Sequence, residues 1–236
     1  MSSTPTSKTN NPHPLINPIT AFVHECMKNY DPSHNPAHIS RVVNLALRIF
    51  RSECTRHPEK SIDEVTVHLA ALLHDISDRK YLSKTQDADA IPPGELVAHV
   101  LVQHGADKNL AERVQRVVSH VSYSTECKDP SAVRKVIDEE GIFELAIVQD
   151  ADRLDALGAV GIGRCFTFLG AKGRDMLKEG EAWEIENSIR HFGEKLERLE
   201  GMMKTETGKE MARVRTERLV EFKKWWEEEM ADAGGC

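Results

Sequence analysis

The sequence predicts an all-α fold, and three observations support this prediction. No stretch alternates apolar and polar residues with period two over several positions, and runs of β-branched residues are scarce. Apolar residues instead recur three and four positions apart in most segments of the chain. With 236 residues, 40% of them apolar and 29% charged, the chain has the size and composition of a globular domain with a sizeable core.

The first 130 residues are predicted to contain a tail, five helices and a loop. Residues 1–14 are rich in Ser, Thr, Asn and Pro, so we expect residues 1–17 to be a disordered tail before a single domain over residues 18–236. Asn35 is a good N-cap and Pro36 fits the first helical position, which predicts a helix start. The predicted helices span residues 18–30, 36–55, 62–76, 95–104 and 107–121, and a loop is predicted at 122–130.

The rest of the chain is predicted to be helical as well. A helix over residues 142–157 carries Asp150 and Asp152, and four glycines between residues 158 and 170 then weaken a helical pattern over 160–169. Residues 183–232 are amphipathic and strongly charged. We expect this segment to form long C-terminal helices over 184–203 and 209–230, joined by a turn at 205–208.

Charge, hydropathy and cysteine usage exclude several classes of protein. The net charge of −7 argues against a general nucleic-acid binder, which needs a surplus of Lys and Arg, but it allows a small anionic substrate. No run approaches the roughly 20 apolar residues that a membrane helix needs. Five scattered cysteines without a C-x-x-C pair indicate a reducing compartment and no thiolate zinc site. We therefore expect a cytoplasmic protein with no membrane and no nucleic-acid partner; the nucleus remains an alternative.

The adjacent pair His74-Asp75, at the end of an almost entirely apolar helix, is the most informative feature of the sequence. A carboxylate beside an imidazole in apolar surroundings costs several kcal/mol unless both are paired or bind a cation. Consecutive helical residues point about 100° apart, so both can reach one ion only where the helix ends. A divalent metal bound at this helix end would resolve the cost.

His38 and Asp152 extend the predicted metal site. His38 shares a helix face with the apolar positions 42 and 45, and Asp152 shares one with positions 148, 156 and 159. Each residue alone is more often a hydrogen-bonded core residue than a ligand, and Asp152 can also pair with Arg153. Two His and two Asp together form a mixed nitrogen and oxygen set that suits Mn²⁺, Mg²⁺, Fe²⁺, Co²⁺ or Ni²⁺ better than a closed structural zinc.

The order His, His-Asp, Asp and its surrounding residues resemble the HD superfamily of metal-dependent phosphohydrolases. The resemblance is carried by His38-Ile39-Ser40-Arg41-Val42, by the His-Asp doublet within residues 70–76, and by Ala151-Asp152-Arg153-Leu154 within residues 148–158. It implies an HD-domain helical bundle with a buried single-metal site, whose ligands are His38, His74, Asp75 and Asp152.

Two segments of the C-terminal half resemble a bacterial and fungal subgroup of that superfamily. They are residues 189–196 and Ala212-x-x-Arg215. The subgroup contains manganese-dependent deoxynucleoside triphosphate pyrophosphohydrolases, so the resemblance implies one divalent ion, with Mn²⁺ favoured, and a nucleotide substrate. One departure is local, because this chain has His34-Asn35 where relatives often have His-Asp; we interpret Asn35 mainly as a helix cap.

The resemblance and the neighbouring charges suggest further site residues. Asp78 lies where single-metal hydrolases of the superfamily have a catalytic Glu or Asp, so it is the expected general base; a surface position at the helix end is the alternative. Ordinary ion pairs or core packing are the alternatives for the expected substrate contacts. These contacts are Lys80, Tyr81, Arg153, Asp155, His191 and Lys195. Asp155 can instead orient a metal ligand.

Several functions remain open from the sequence. A triphosphate pyrophosphohydrolase is the leading hypothesis, a 5′-nucleotidase or phosphodiesterase can use the same metal site, and a non-catalytic nucleotide- or metal-binding module is a further alternative. A diiron oxygenase needs more ligands than the sequence offers, and the residues around His99, His104 and His120 do not match second-metal motifs. The apolar face of residues 219, 222, 226 and 230 fits either core packing or a homodimer.

Overall fold

The structure is a computed structural model that describes residues 12–76, 91–177 and 179–234. It confirms the all-α prediction, because 74% of the described residues are helical and they form eleven α-helices and no strand. In order, the helices are α1 Ile16–Met27, α2 Pro36–Arg56, α3 Glu64–Leu73, α4 Leu96–Gln103, α5 Lys108–Val118, α6 Tyr123–Lys128, α7 Pro130–Arg134, α8 Glu144–Asp155, α9 Gly158–Lys172, α10 Glu186–Glu194 and α11 Glu206–Asp232.

Side-chain caps fix where α2 and α3 begin. The Asn35 side-chain oxygen accepts hydrogen bonds from the backbone N–H groups of Ala37 and His38, at 3.0 and 3.3 Å, and Pro36 occupies the first turn. This confirms the predicted role of Asn35 as a cap. Asp63 caps α3 in the same way, and α3 ends at Leu73. His74 and Asp75 therefore follow immediately after a buried helix, which frees their side chains to turn toward the same point.

Helix α8 lies at the centre of the bundle. It packs against α2, α3, α5, α9 and α11, and eleven of its twelve residues are buried. Apolar residues fill most of this interface, including Leu145, Ile147, Val148 and Leu154. Because α8 has neighbours on all sides, its polar residues must be satisfied inside the protein.

Buried carboxylates hold the ends of neighbouring helices. Asp150 accepts hydrogen bonds from the backbone N–H and the hydroxyl of Thr205, both at 2.7 Å, and thereby fixes the start of α11 on α8. Glu53 of α2 accepts from the backbone N–H and hydroxyl of Thr207, at 3.0 and 2.6 Å. Glu144 accepts from the backbone N–H of Asp63 at 2.8 Å. These bonds connect α2, α3, α8 and α11, the helices around the predicted metal site.

The predicted loop at 122–130 is wrong, because the structure has a helix, α6, there and a second short helix, α7, begins at residue 130. The Asp129 side chain caps α7 by accepting from the N–H groups of Ser131 and Ala132, and Pro130 occupies its first position. Glu126 attaches α6 to the bundle through Lys204 and Arg153. Ion pairs to distant residues supply the stability that so short a helix lacks on its own.

The C-terminal helices also differ from the prediction. Helix α10 ends at Glu194, and two 3₁₀ turns, Leu196–Arg198 and Glu200–Met202, replace the rest of the long helix expected up to residue 203. The turn expected at 205–208 is the start of α11: the Thr205 hydroxyl accepts from the Gly208 N–H at 2.8 Å and caps it. A Cβ at Gly208 would lie 2.2 Å from the Asp150 carboxylate, so a glycine is required there.

Helix α9 is longer than its glycine content predicts. Gly158 has a positive φ of 68°, which turns the chain sharply after α8, and a Cβ at Gly161 would lie 2.2 Å from the Ala156 backbone. These two glycines therefore allow α9 to approach α8 closely. No single helix in the described ranges is long and apolar enough to cross a membrane, although the bent pair Glu144–Asp155 and Gly158–Asp175 passes by length and composition alone.

Candidate metal centre

His38 lies in the first turn of α2 with its side chain 1% exposed, and a buried carboxylate fixes its ring. Its Nδ1 is 2.8 Å from Asp155 Oδ2. Arg41 donates to both Asp155 oxygens, at 2.7 and 2.9 Å, and Arg164 lies 3.2 Å from Oδ2. Burial opposes ionisation of Asp155, but hydrogen bonds from His38 and Arg41 lower its pKa to about 2. An ionised Asp155 can only accept, so His38 carries its proton on Nδ1 and its lone pair on Nε2.

His74 presents its lone pair in the same way. Its Nδ1 lies 2.9 Å from the Ala71 carbonyl oxygen, which can only accept, so Nδ1 carries the proton. The Nε2 atoms of His74 and His38 face each other at 3.2 Å, and in the neutral rings each would carry a lone pair. Two lone pairs so close repel each other unless a positive charge lies beside them. This arrangement fits a bound cation.

Asp75 and Asp152 bring negative charge to the same point. Asp75 Oδ2 is 3.3 Å from His38 Nε2 and 3.6 Å from His74 Nε2, and Asp152 Oδ1 is 3.7 Å from each. Asp75 Oδ2 is buried and has no hydrogen-bond partner among the described residues. Separations of this size are expected for neighbouring ligands about 2.1–2.2 Å from one ion. The unpartnered oxygen and the facing imidazoles therefore fit a divalent metal.

The charges of His74, Asp75 and Asp152 shift one another's pKa values. Burial works against the charged form of each group, but Asp75 and Asp152 raise the pKa of His74 to about 9. The His74 charge lowers the pKa of Asp75 to about 2 and that of Asp152 well below its ordinary value. The site attracts one positive charge, and a metal ion and a proton compete for it.

The metal centre opens on its carboxylate side. The side chains of His38 and His74 are 1% and 2% exposed, whereas those of Asp75 and Asp152 are 27% and 30% exposed. Ligands from the protein thus cover one side, and the other side is accessible to water and substrate. His38, His74 and Asp152 also form the one group of three convergent metal-ligating residues in the described ranges, so the described residues give no support to a second metal at His99, His104 or His120.

Two predicted substrate contacts have other partners. Arg153 is 3% exposed, and its guanidinium donates to Glu126 and to the Met202 carbonyl. It is thus part of a buried ion pair, and its predicted contact with substrate stays a prediction. Asp155 is 2% exposed and lies 2.8 Å from His38 Nδ1, which fits its alternative role of orienting a metal ligand.

The remaining predicted contacts lie elsewhere or cannot be placed. His191 lines a cavity of about 260 Å³ with residues of α9 and α10. Lys195 Nζ lies 5.0 Å from the centre of the Tyr123 ring. No hydrogen bond or ion pair within the described ranges connects either residue to the four predicted ligands. Asp78, Lys80 and Tyr81 lie outside the described residues.

Three residues that the sequence did not predict lie beside His38, namely His34, Arg164 and Phe168. The His34 ring lies 5.8 Å from the His38 ring and 5.4 Å from the Phe168 ring, measured between centroids. Arg164, one turn before Phe168 on α9, donates to the Ser33 carbonyl at 2.8 Å and pairs with Asp155. Burial lowers the pKa of His34 below its ordinary value, which favours the neutral ring. The one feature of the sequence that could have indicated His34 was the His34-Asn35 pair before the first predicted ligand. Nothing in the sequence indicated that residues of α9 would lie beside it.

Comparisons with known proteins agree with this geometry. A family model described as "HD domain" matches residues 37–157, which contain all four predicted ligands. Over 204 residues the chain is 34% identical to the protein YpgQ of Bacillus subtilis (strain 168), covering 86% of this chain and 88% of YpgQ. The crystal structure of YpgQ in complex with ADP is similar, with a TM-score of 0.62 and 30% identity over 91% of this chain and 94% of that one.

A second solved structure supports the same conclusion. An HD-superfamily hydrolase from Bacillus thuringiensis has a TM-score of 0.63 and 28% identity, covering 92% of this chain and 97% of that chain. The family match, the relative and the two structures extend over the bundle that surrounds the metal centre. The chain therefore belongs to the HD-domain superfamily of hydrolases.

Proposed function

We propose that the protein hydrolyses nucleoside or deoxynucleoside triphosphates between the α and β phosphates, releasing the monophosphate and pyrophosphate, with Mn²⁺ as the strongest activator. The observation that carries the proposal is the mixed set of two imidazole nitrogens and two carboxylate oxygens, which is open on the carboxylate side. Such a set suits an oxygen-preferring divalent ion with positions left for water and phosphate oxygens. The ADP bound in the similar YpgQ structure supports a nucleotide ligand.

Each residue of the centre has a defined task in this proposal. His38, His74, Asp75 and Asp152 hold the ion, and when bound the ion lowers the pKa of a water and neutralises phosphate oxygens. Asp155 keeps the His38 lone pair on Nε2, because its carboxylate accepts the Nδ1 proton. Asp78 remains our candidate to accept a proton from the attacking water, and Lys80 and Tyr81 remain candidate substrate contacts.

The choice of the scissile bond follows the subgroup resemblance. Attack of water at the α phosphorus forms a new phosphorus–oxygen bond and breaks the bond to the oxygen that bridges the α and β phosphates. The leaving pyrophosphate then gains negative charge, which a neighbouring cation can stabilise. Attack at the γ phosphorus would instead release a nucleoside diphosphate and orthophosphate.

One experiment tests the bond and the reaction class together. Protein loaded with Mn²⁺ is incubated in ¹⁸O-labelled water with the ribo- and deoxyribonucleoside triphosphates, and products are separated by chromatography and weighed by mass spectrometry. We expect one ¹⁸O atom in the monophosphate and unlabelled pyrophosphate. Release of intact triphosphate, or activity confined to monophosphates or to phosphodiesters, would refute the proposal in favour of another phosphohydrolase. Nucleotide binding without any hydrolysis would indicate a binding module.

A further inference from the structure

We propose that His34 accepts a hydrogen bond from the 3′-hydroxyl of the bound nucleotide, and that Phe168 packs against its base. The inference rests on the proposed nucleotide substrate and adds the residues that recognise its sugar and base. Four features of the described residues support it: the hydrogen-bond chain to His34, its position beside the metal centre, its link to Asp155, and the order of the rings.

A short hydrogen-bond chain fixes the His34 ring and its protonation. Ser33 is almost fully buried, and its hydroxyl and backbone N–H both donate to the Asp31 carboxylate. The Ser33 Oγ is also 2.7 Å from His34 Nδ1. Since the single hydroxyl proton goes to Asp31, Ser33 Oγ must accept the proton of His34 Nδ1. The neutral ring then offers a lone pair on Nε2 and seeks a donor.

His34 is partly exposed and lies beside the candidate metal centre. Its ring is 5.8 Å from the ring of His38, measured between centroids. Asp75 and Asp152, the partly exposed residues of the centre, lie 3.3 and 3.7 Å from His38 Nε2. A ligand at the exposed side of the centre is therefore within reach of His34. Hydroxyl groups are the neutral donors that a nucleotide sugar offers, and the 3′-hydroxyl is the one that ribonucleotides and deoxyribonucleotides both carry.

Arg164 ties the loop of His34 to the metal centre. Its Nε donates to the Ser33 carbonyl at 2.8 Å, and its Nη1 lies 3.2 Å from Asp155, the residue that holds His38. The Asn35 cap is sufficient to begin α2, so the bond from Arg164 to Ser33 is not needed for the helix start. The buried chain and the arginine instead hold one imidazole at a set distance from the ligands.

The order of the rings matches the order of groups in a nucleotide. The His34 ring contacts both the ring of the predicted ligand His38, at 5.8 Å between centroids, and the ring of Phe168, at 5.4 Å. Phosphates bound at the metal would be followed by the sugar beside His34 and by the base beside Phe168. An aromatic ring stacks on any of the bases, so Phe168 contributes affinity with little selectivity.

Calorimetry with Mn²⁺-loaded protein tests the sugar contact through three ligands: ADP, 2′-deoxy-ADP and 3′-deoxy-ADP. In the wild type, loss of the 3′-hydroxyl should weaken binding about fivefold, the usual effect of one neutral hydrogen bond, and loss of the 2′-hydroxyl should not. His34→Ala should weaken ADP about fivefold and abolish the difference between ADP and 3′-deoxy-ADP. His34→Gln, which can present an acceptor oxygen, should keep part of that difference. Equal losses for all three ligands in His34→Ala would overturn the contact.

Further variants separate recognition from a structural effect. Phe168→Leu should weaken all three ligands by a similar factor, about tenfold by the usual effect of base stacking. Tripolyphosphate, which has neither sugar nor base, should bind equally to wild type, His34→Ala and Phe168→Leu. The exposed Lys209 of α11 provides a control, because Lys209→Ala should change none of these affinities. Weaker tripolyphosphate binding in both site variants would show that they disturb the metal centre and would overturn the inference.

The sequence-based alternative places substrate at His191 of α10 and at Lys195, which follows α10. Larger losses of ADP affinity in His191→Ala and Lys195→Ala than in His34→Ala and Phe168→Leu would also overturn the inference. The outcomes separate it from the proposed function. Nucleotides that bind with the expected 3′-dependence but are not hydrolysed support the inference and refute the reaction. Hydrolysis without 3′-dependence leaves the reaction and refutes the inference.

Discussion

Replacement of Asp155 by Asn tests whether the metal centre depends on the residue behind its ligand. The change keeps the size of the side chain but removes the negative charge that lies against His38, Arg41 and Arg164. Those partners lower the pKa of Asp155 from 3.8 to about 2. A pKa difference of one corresponds to about 1.4 kcal/mol, so the ionised carboxylate should stabilise the folded state by about 2 to 3 kcal/mol. Asp155 is 2% exposed, so solvent screens this contribution little.

The same substitution should weaken metal binding. An amide is a poorer acceptor than a carboxylate, and its NH₂ group can face His38 Nδ1 and permit the other tautomer. Loss of a carboxylate partner behind a metal-bound His typically lowers metal affinity ten- to a hundredfold. Titration calorimetry with Mn²⁺ measures this affinity, and urea unfolding of the metal-free protein measures stability. An unchanged Mn²⁺ affinity would refute the role of Asp155.

Asp150→Asn is the matched control, since Asp150 lies on the same helix and is also buried. Its carboxylate fixes the start of α11 and has no contact with the predicted ligands among the described residues. The control should lower the free energy of unfolding and leave Mn²⁺ affinity unchanged. The sign of the acid dependence follows from the low pKa of Asp155. Its stabilisation should be complete above about pH 4 and should be lost as the pH falls from about 4 to about 2.

Four other expectations can be checked with single variants. His74→Ala and Asp75→Ala should each reduce bound metal from about one ion per chain to none by elemental analysis, and full occupancy in Asp75→Ala would exclude it as a ligand. Asp78→Asn should keep the fold and the metal and lower kcat roughly 100-fold or more; an unchanged kcat would remove it from the mechanism. Although burial opposes protonation, Asp75 and Asp152 raise the pKa of His74 to about 9, so His74 must lose a proton when metal binds. The Mn²⁺ affinity measured by calorimetry should therefore rise about tenfold from pH 7 to 8 and level off above pH 9. An affinity that does not change with pH would contradict this competition. Arg153→Ala should lower the free energy of unfolding by roughly 3 kcal/mol in urea, whereas a rise in KM alone would support its predicted contact with substrate.

The sequence predicted the long helices because their apolar faces follow a regular period. The spacing of apolar residues predicted the buried faces of α2, α3, α5 and α8. It did not predict α6, which is held by Glu126 bound to Arg153 and Lys204, residues 27 and 78 positions away. A short helix fixed by distant ion pairs has no local signal.

The residues of the candidate metal site also include some that the sequence predicts and others that it does not. The grouping of His38, His74 and Asp152 was predictable because each lies in a motif with a strong apolar pattern around it. The partner of His38 was not, since Asp155 is 117 residues away and resembles any other acidic residue near a helix end. His34 precedes α2 and Phe168 lies on α9, and their rings lie 5.4 Å apart between centroids in the folded protein. That contact depends on the tertiary fold, which local periodicity does not encode.

Helix α8 shows how surroundings give one residue type three different roles. Asp150 points about 200° away from Asp152 around the helix, toward α11, whereas Asp155 points within about 60° of Asp152. Burial raises the pKa of Asp150, and its bonds to residues 204 and 205 make it a cap. His74 lowers the pKa of Asp152, a predicted metal ligand, and Asp155 accepts from His38 Nδ1, which would direct the His38 Nε2 lone pair toward the predicted metal position. One helix therefore carries, within two turns, the residue that fixes the start of α11 and the two residues that serve the predicted metal centre, and the direction in which each side chain points separates the two tasks.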